Sequence, residues 1–184
     1  MDNVSIKKAK LLLHVCCAPC TSVPVERLKE KYDISGFFYN PNIYPENEYR
    51  TRLDETADYF NKCNITLRIG SYDREAFYKC VKGLEHMAEG GDRCLQCYTL
   101  RIRATAAEAD MINARNITTT LTLSPHKQTD MVNAAGREAV SGTHISFLAE
   151  DFKKNNGFNR SLDISRSESF YRQHYCGCKY SMQA

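Results

Sequence analysis

An alternation of strand-like and helix-like segments constrains the fold of this chain more than any other feature of its sequence. The predicted strands span residues 10–15, 34–40, 65–70 and 117–123. The predicted helices span residues 21–31, 46–61, 73–87, 97–114 and 127–141. Such alternation is typical of a parallel sheet with helices on both faces. We therefore predict an α/β, Rossmann-like fold, followed by a less regular, partly helical tail over residues 147–184.

The composition favours one compact domain without a membrane anchor. The chain has 184 residues, 42% of them hydrophobic, and a net charge of +3. That length suits a single domain over residues 1–184, with 151–184 as a basic, Tyr-rich tail that carries the CxC motif. No apolar run approaches the roughly 18 residues that a membrane helix needs. Residues 1–10 are charged and lead into only three leucines, so we expect no signal peptide and a cytoplasmic location.

Nine cysteines are a high number for a chain of this kind, and their odd count fits a complete disulfide framework poorly. Seven of them fall into three groups, whereas Cys63 and Cys80 stand alone in helical patterns and are expected to be buried, small apolar residues. The three groups are Cys16, Cys17 and Cys20; Cys94 and Cys97; and Cys176 and Cys178. In a reducing compartment, clustered cysteines are more often metal ligands or catalytic groups than disulfides.

The spacing of these cysteines leaves three kinds of site open. A structural zinc needs four thiolates, so seven are too many for one zinc and one too few for two. Seven thiols suit a [4Fe–4S] cluster together with a second metal that keeps an open position. A thiol–disulfide redox pair is the third alternative.

Two loops are expected to meet at one edge of the predicted sheet. The first contains residues 14–20 and follows the first strand, and the second, residues 124–128, follows the fourth. Ligands collect beyond the carboxyl ends of parallel strands. We expect His126 to face this crevice as a ligand or proton donor. His14 either forms hydrogen bonds within its strand or tunes a metal through an indirect contact.

The adjacent cysteines Cys16 and Cys17 are predicted to have different roles. Side chains alternate along a strand, so we expect these two to point to opposite sides and to bind different metals. Cys20, about one helical turn later, is expected to return to the same crevice and complete a ligand set.

Six motifs in order give the chain a family resemblance. They are LLLHVCCAPC, FFYNPNIYPENEYRTR, RCLQCYTLR, TTLTLSPHK, DFKKNNGFNRS and YRQHYCGC. Together they resemble the QueH-type epoxyqueuosine reductases, and the resemblance runs from about Leu11 to Ser181. It implies a fold similar to that of the adenine-nucleotide α-hydrolases. It also implies an oxidoreductase that reduces the epoxide of epoxyqueuosine, at the wobble position of transfer RNA, to queuosine.

The resemblance further implies the cofactors and their ligands. It implies an iron–sulfur protein with a [4Fe–4S] cluster and an additional mononuclear iron. The thiols implied as metal ligands are Cys16, Cys17, Cys94, Cys97, Cys176 and Cys178. We expect the cluster to be bound by Cys17, Cys94, Cys97, Cys176 and Cys178. We expect the catalytic residues to be Cys16, Cys17, Cys20 and His126.

The substrate and the reaction predict two partners. The basic tail is the predicted tRNA-binding surface, since residues 151–184 contain six Lys or Arg against three Asp or Glu. The predicted tRNA-binding residues in this tail are Arg160, Arg166, Arg172 and Tyr171. A ferredoxin or flavodoxin is the expected low-potential electron donor. Two rival functions remain open, namely a zinc-stabilised RNA-binding module and a sulfur-transfer enzyme acting on tRNA.

Overall fold

A five-stranded parallel sheet forms the centre of the molecule. The computed structural model describes residues 8–182, so residues 1–7, which include most of the segment expected not to be a signal peptide, lie outside it. The strands are β1 Ala9–Val15, β2 Tyr32–Phe38, β3 Leu67–Ile69, β4 Asn116–Thr119 and β5 Ser146–Phe147. They pair in the order β3-β2-β1-β4-β5, and every pair is parallel. The predicted α/β class is confirmed.

Six α-helices accompany these strands in the described part of the chain. They are α1 Ala18–Leu28, α2 Glu46–Lys62, α3 Arg74–Cys80, α4 Asp92–Met111, α5 Thr129–Ala139 and α6 Gly157–Ser167. Helix α4 begins five residues before the predicted start at 97, so both cysteines of RCLQC lie in its first two turns. Helix α3 ends well before residue 87, because a turn follows in which Gly83 has a φ of +84°.

The fourth strand is shorter than its β-branched sequence predicts. The Thr119 hydroxyl accepts a hydrogen bond from the Leu121 amide, and Thr120–Leu123 form a 3₁₀ turn instead of continuing the strand. A side chain that bonds to the backbone two residues ahead competes with the hydrogen bonds of a strand. The prediction of a strand over 117–123 was therefore wrong in its second half. The two-residue strand β5 and helix α6 were not predicted as separate elements.

Apolar side chains pack on both faces of the sheet. Leu12 of β1 packs on one face with residues of α4 and α5, including Ile102 and Val132. Leu11 and Leu13 point to the opposite face, where helices α1, α2 and α6 pack. Because β1 is the central strand and both its faces are covered, the loop at its carboxyl end lies deep in the molecule. Within residues 8–182, no helix has both the length and the apolar character that crossing a membrane requires.

Candidate functional site

The sulfurs of Cys16, Cys17 and Cys20 meet where β1 passes into α1. We call these three residues the cysteine triad; their Sγ atoms all lie within 4.8 Å of one another. The Sγ atoms of Cys16 and Cys17 are 3.7 Å apart. The expectation that these two side chains point to opposite sides is therefore wrong. Strand β1 ends at Val15, and Cys17 already caps the start of α1, so the alternation of a strand does not extend to the pair.

The spacing of the triad fits a single metal ion. Two thiolates bound at about 2.3 Å to a tetrahedral ion have sulfurs roughly 3.8 Å apart. The observed distance between Cys16 and Cys17 is 3.7 Å. In the part of the chain that the structure describes, no other group of three or more His, Cys, Asp or Glu residues converges as tightly. A site with three protein ligands leaves one position of a tetrahedral ion open.

Polar neighbours surround the triad and favour a thiolate on Cys16. The Thr120 hydroxyl donates to Cys16 Sγ at 3.4 Å. Hydrogen bonds from the thiols of Cys17 and Cys20 hold the pKa of Cys16 well below its ordinary value, and the positive charges of Arg101 and Lys127 add to the effect. The pKa of Cys20 is raised for the complementary reason, because two neighbouring sulfurs disfavour its ionisation. One negative charge is thus shared among three closely spaced sulfurs.

The remaining four clustered cysteines form a looser group beside the triad. We call Cys94, Cys97, Cys176 and Cys178 the second cysteine group. Burial, together with the charges of Cys176, Cys178 and Cys94, raises the pKa of Cys97 to about 12. Cys97 and Cys178 lie close together, since both belong to one small apolar cluster with Phe77. The thiols of this group are further candidate metal ligands.

A cavity of about 310 Å³ opens above the triad, and we call it the main cavity. Its volume lies at the lower end of the range typical of small-molecule sites. Cys16, Cys20 and Cys176 line it, so it touches both cysteine groups. His126 also lines it, as the sequence predicted, although its role as a proton donor or ligand stays a prediction.

Several polar residues that were not among the predicted site residues also line the main cavity. They are Asn42, Arg52, Arg101, Lys127 and Gln173. Lys127 follows His126 directly, in the loop that was expected to face the crevice. Burial lowers the pKa of Lys127, but the negative charge of Cys176 and its neighbours more than offsets this and raises the pKa above its ordinary value.

His14 has the structural role that was one of its two predicted alternatives. Its side chain is fully buried, with Nδ1 at 2.8 Å from the Thr119 hydroxyl oxygen and Nε2 at 3.3 Å from the Tyr39 carbonyl oxygen. Burial lowers its pKa to about 3, so the ring stays neutral. Both ring nitrogens are thus satisfied by the fold.

The basic residues predicted to contact tRNA differ in their surroundings. Arg160 forms an ion pair with Glu26 at 2.8 Å, and Arg166 forms one with Asp163 at 3.1 Å. Arg172 lines the main cavity instead. The Tyr171 hydroxyl donates to Glu48 at 2.8 Å. Within residues 8–182, Arg172 is the only one of these four residues that lines the main cavity and has no contact with a carboxylate.

Comparisons with known proteins agree with this geometry. The sequence model described as "Epoxyqueuosine reductase QueH" matches residues 11–184. A protein of that name from Streptococcus pyogenes serotype M1 is 36% identical over 180 residues, which cover 95% of this chain and 71% of the relative. The namesake from Acinetobacter baylyi is 38% identical over 176 residues, covering 95% of this chain and 81% of the relative. The epoxyqueuosine reductase QueH from Thermotoga maritima is 32% identical over 175 residues, which cover 94% of this chain and 90% of the relative. The chain therefore belongs to the epoxyqueuosine reductase QueH family.

Proposed function

We propose that this protein reduces the epoxide of epoxyqueuosine, at the wobble position of a transfer RNA, to the alkene of queuosine. The observation that supports the proposal is the convergence of three thiol sulfurs, two of which, on Cys16 and Cys20, line a cavity of small-molecule size. Family membership supplies the substrate, since the matching relatives bear the name epoxyqueuosine reductase. An anticodon base is unpaired, so extruding it into a cavity costs less than extruding a base from a duplex.

The reaction fixes what the site must supply. Both C–O bonds of the epoxide break, a C=C bond forms between the same two carbons, and the oxygen leaves as water. Two electrons and two protons are consumed. The electrons come from a low-potential donor of the ferredoxin or flavodoxin class, in a reducing cytoplasm. The thiols of the described cavity can bind metals, and its cationic groups can donate protons. Neither is the source of the electrons.

The two cysteine groups divide the cofactors between them. The triad fits a single iron, because its sulfurs have the spacing of ligands on one ion. The second cysteine group provides four thiols, as a fully ligated [4Fe–4S] cluster requires. When bound, such a cluster supplies low-potential electrons, and an iron with an open position supplies a Lewis acid. This assignment differs from the sequence-based expectation for Cys17, which placed it with the cluster.

Cationic residues of the cavity wall prepare the site for this chemistry. Arg101 is 2% exposed, and it and Lys127 stabilise the charged form of Cys16. A thiolate, rather than a thiol, is the form that binds metals. The Lys127 ammonium group also faces Cys176, so it lies between the two cysteine groups. We infer that its positive charge favours the thiolate form of Cys16, the form that binds a metal.

Mass analysis of the tRNA nucleosides tests the function. Anoxically purified protein is incubated with tRNA containing epoxyqueuosine and a chemical low-potential reductant, and the digested nucleosides are weighed. The expected product is lighter than the substrate by one oxygen. Cys20→Ala should abolish this change, whereas Cys80→Ala, at a half-buried position at the end of α3 and outside both cysteine groups, should retain it.

Two other results would contradict the proposal. A gain in mass of one sulfur would indicate a tRNA sulfur-transfer enzyme. An unchanged nucleoside, together with colourless protein that contains zinc and no sulfide, would indicate a zinc-stabilised RNA-binding module.

A further inference from the structure

Two carboxamide side chains in the main cavity carry oxygen atoms without a partner. Within residues 8–182, neither Asn42 Oδ1 nor Gln173 Oε1 accepts a hydrogen bond, although both atoms are buried. Asn42 is only 3% exposed. Buried polar atoms in native proteins nearly always have partners, so those that lack one in a cavity point to a ligand that supplies the missing donor.

The loop that carries Asn42 is fixed at several points. The Tyr44 amide donates to the Gly177 carbonyl at 2.8 Å, and the Tyr72 hydroxyl donates to the Ile43 carbonyl at 2.6 Å. The Asn40 amide group donates to the Val15 carbonyl at 3.0 Å, which ties the loop to the end of β1. With its neighbours held on both sides, the backbone of Asn42 cannot move readily to bring its oxygen to another protein donor.

Gln173 connects the cavity to the triad. Its Nε2 atom donates to Cys17 Sγ at 3.3 Å. With the nitrogen turned toward this sulfur, the Gln173 Oε1 atom has no partner in the described chain. Gln173 also lines the main cavity, so a molecule bound there can supply the missing donor.

The reacting end of epoxyqueuosine is a five-membered carbon ring that carries the epoxide and two hydroxyl groups. Hydroxyl groups are donors that an amide oxygen binds well. We propose that Asn42 and Gln173 accept hydrogen bonds from these ring hydroxyls and so orient the epoxide toward the cysteine triad. This inference rests on the proposed function, and it makes the two residues determinants of specificity for a hydroxylated ring.

The test compares two anticodon stem–loop RNAs that differ only in this ring. One contains queuosine at the wobble position, and the other contains 7-aminomethyl-7-deazaguanosine, which lacks the ring and its hydroxyls. Binding of both RNAs is measured for the anoxic holoenzyme, for Asn42→Leu and for Gln173→Met. The wild-type enzyme should prefer the queuosine RNA. Each variant should lose about three- to tenfold in affinity for that RNA, the effect of one neutral hydrogen bond, and bind the other RNA unchanged.

Three further variants serve as controls. Asn133 is also a buried asparagine with an unpartnered Oδ1, but it lies in a separate surface groove. Asn133→Leu should keep the wild-type preference between the RNAs. Asn42→Asp retains an acceptor, and it should keep the preference even if Asn42→Leu does not fold. Gln173→Leu distinguishes loss of the oxygen from an effect of the methionine sulfur.

The outcomes separate this inference from the function on which it rests. If wild-type enzyme reduces epoxyqueuosine tRNA but shows no preference between the two RNAs, the hydroxyl contacts are refuted while the function stands. Equal losses for both RNAs in the Asn42 and Gln173 variants would place the contacts on the base and also refute the inference. Failure of wild-type enzyme to reduce the epoxide at all would refute the proposed function itself.

Discussion

The triad and the C-terminal segment, residues 170–182, contribute to the same cavity but are built in different ways. The triad is local, since its three cysteines lie within five residues at the turn from β1 to α1. The C-terminal segment is largely irregular, and only residues 179–181 form a short 3₁₀ turn. It carries Cys176 and Cys178, whereas Cys94 and Cys97 come from the start of α4. The second cysteine group is therefore assembled from parts about 80 residues apart in sequence.

Long-range hydrogen bonds hold the C-terminal segment in place. Arg52 of α2 donates to the carbonyl oxygens of Cys176 at 3.1 Å and Tyr175 at 3.3 Å. The Tyr175 hydroxyl donates to the Tyr44 carbonyl. These contacts take the place of the backbone ladder that secures a strand or helix. The triad therefore depends on local chain geometry, whereas the second cysteine group depends on hydrogen bonds from a few side chains that are distant in sequence.

The largest expected effect distinguishes a cysteine of the second group from an isolated one. Cys97→Ala should remove all acid-labile sulfide and the associated brown colour from anoxically prepared protein, because it deletes a cluster ligand. Cys80 is the matched control: burial alone raises its pKa to about 11, and no cysteine contributes to that shift. Cys80→Ala, like Cys63→Ala, should keep the sulfide. Loss of sulfide from either control would show that the grouping of cysteines is wrong.

Removing Arg52 should loosen the C-terminal segment. Its side chain is 2% exposed and pairs with Glu48 at 2.7 Å. Arg52→Met leaves a partly buried carboxylate and two carbonyls without their donor, which should lower the free energy of unfolding by about 3–5 kcal/mol. Urea denaturation of the apo protein measures this change.

Arg50 on the same helix provides the control for Arg52. It pairs with Glu46 at 2.6 Å, but both side chains are more than half exposed. Arg50→Met should cost no more than about 0.5 kcal/mol. Similar losses for the two variants would contradict the role assigned to Arg52.

A smaller effect should follow from removing the buried histidine next to the triad. His14→Leu removes one hydrogen-bond partner each from the Thr119 hydroxyl and the Tyr39 carbonyl, so we expect a loss of about 1–3 kcal/mol in the free energy of unfolding. The iron content after anoxic reconstitution should not change, because both nitrogens of His14 are engaged by the fold. A lower iron content in otherwise folded protein would instead make His14 part of the metal site.

The smallest expected effect concerns RNA binding by the C-terminal segment. Arg172→Met should reduce the slope of log affinity against log salt by about 0.7, as expected for one lost phosphate contact with a single strand. Arg166, already paired with Asp163, serves as the comparison, and Arg166→Met should change the slope less. Equal slopes for Arg172→Met and the wild type would place the RNA-binding surface elsewhere.

The parts of the fold that depend on local pattern were predictable. The bounds of β1 and α2 each differ from their predictions by one residue at one end, because the apolar pattern of each segment determines it. The tail was predicted to be partly helical, but the bounds of helix α6 within it were not predicted; the helix packs against α1. The 3₁₀ turn after β4 escaped prediction because one threonine hydroxyl determines it.

The candidate site was predictable only in its cysteines and in His126. Their residue types and spacing indicate chemistry without any structure. Asn42, Arg101 and Gln173 come from segments that are far apart in the chain, and only tertiary contacts bring them to one cavity. The placement of Cys17 failed for a different reason: the strand ends one residue before the cysteine pair, and strand alternation cannot be extended past that end.

We propose that the triad binds a single iron while the second cysteine group binds a [4Fe–4S] cluster. This division is tested by measuring iron and acid-labile sulfide after anoxic reconstitution of the wild type and of Cys20→Ala. We expect the wild type to contain one more iron than sulfide per chain. Cys20→Ala should keep all the sulfide and lose only that additional iron. Loss of the sulfide together with the iron in Cys20→Ala, or wild-type protein with no iron beyond that of the cluster, would contradict it.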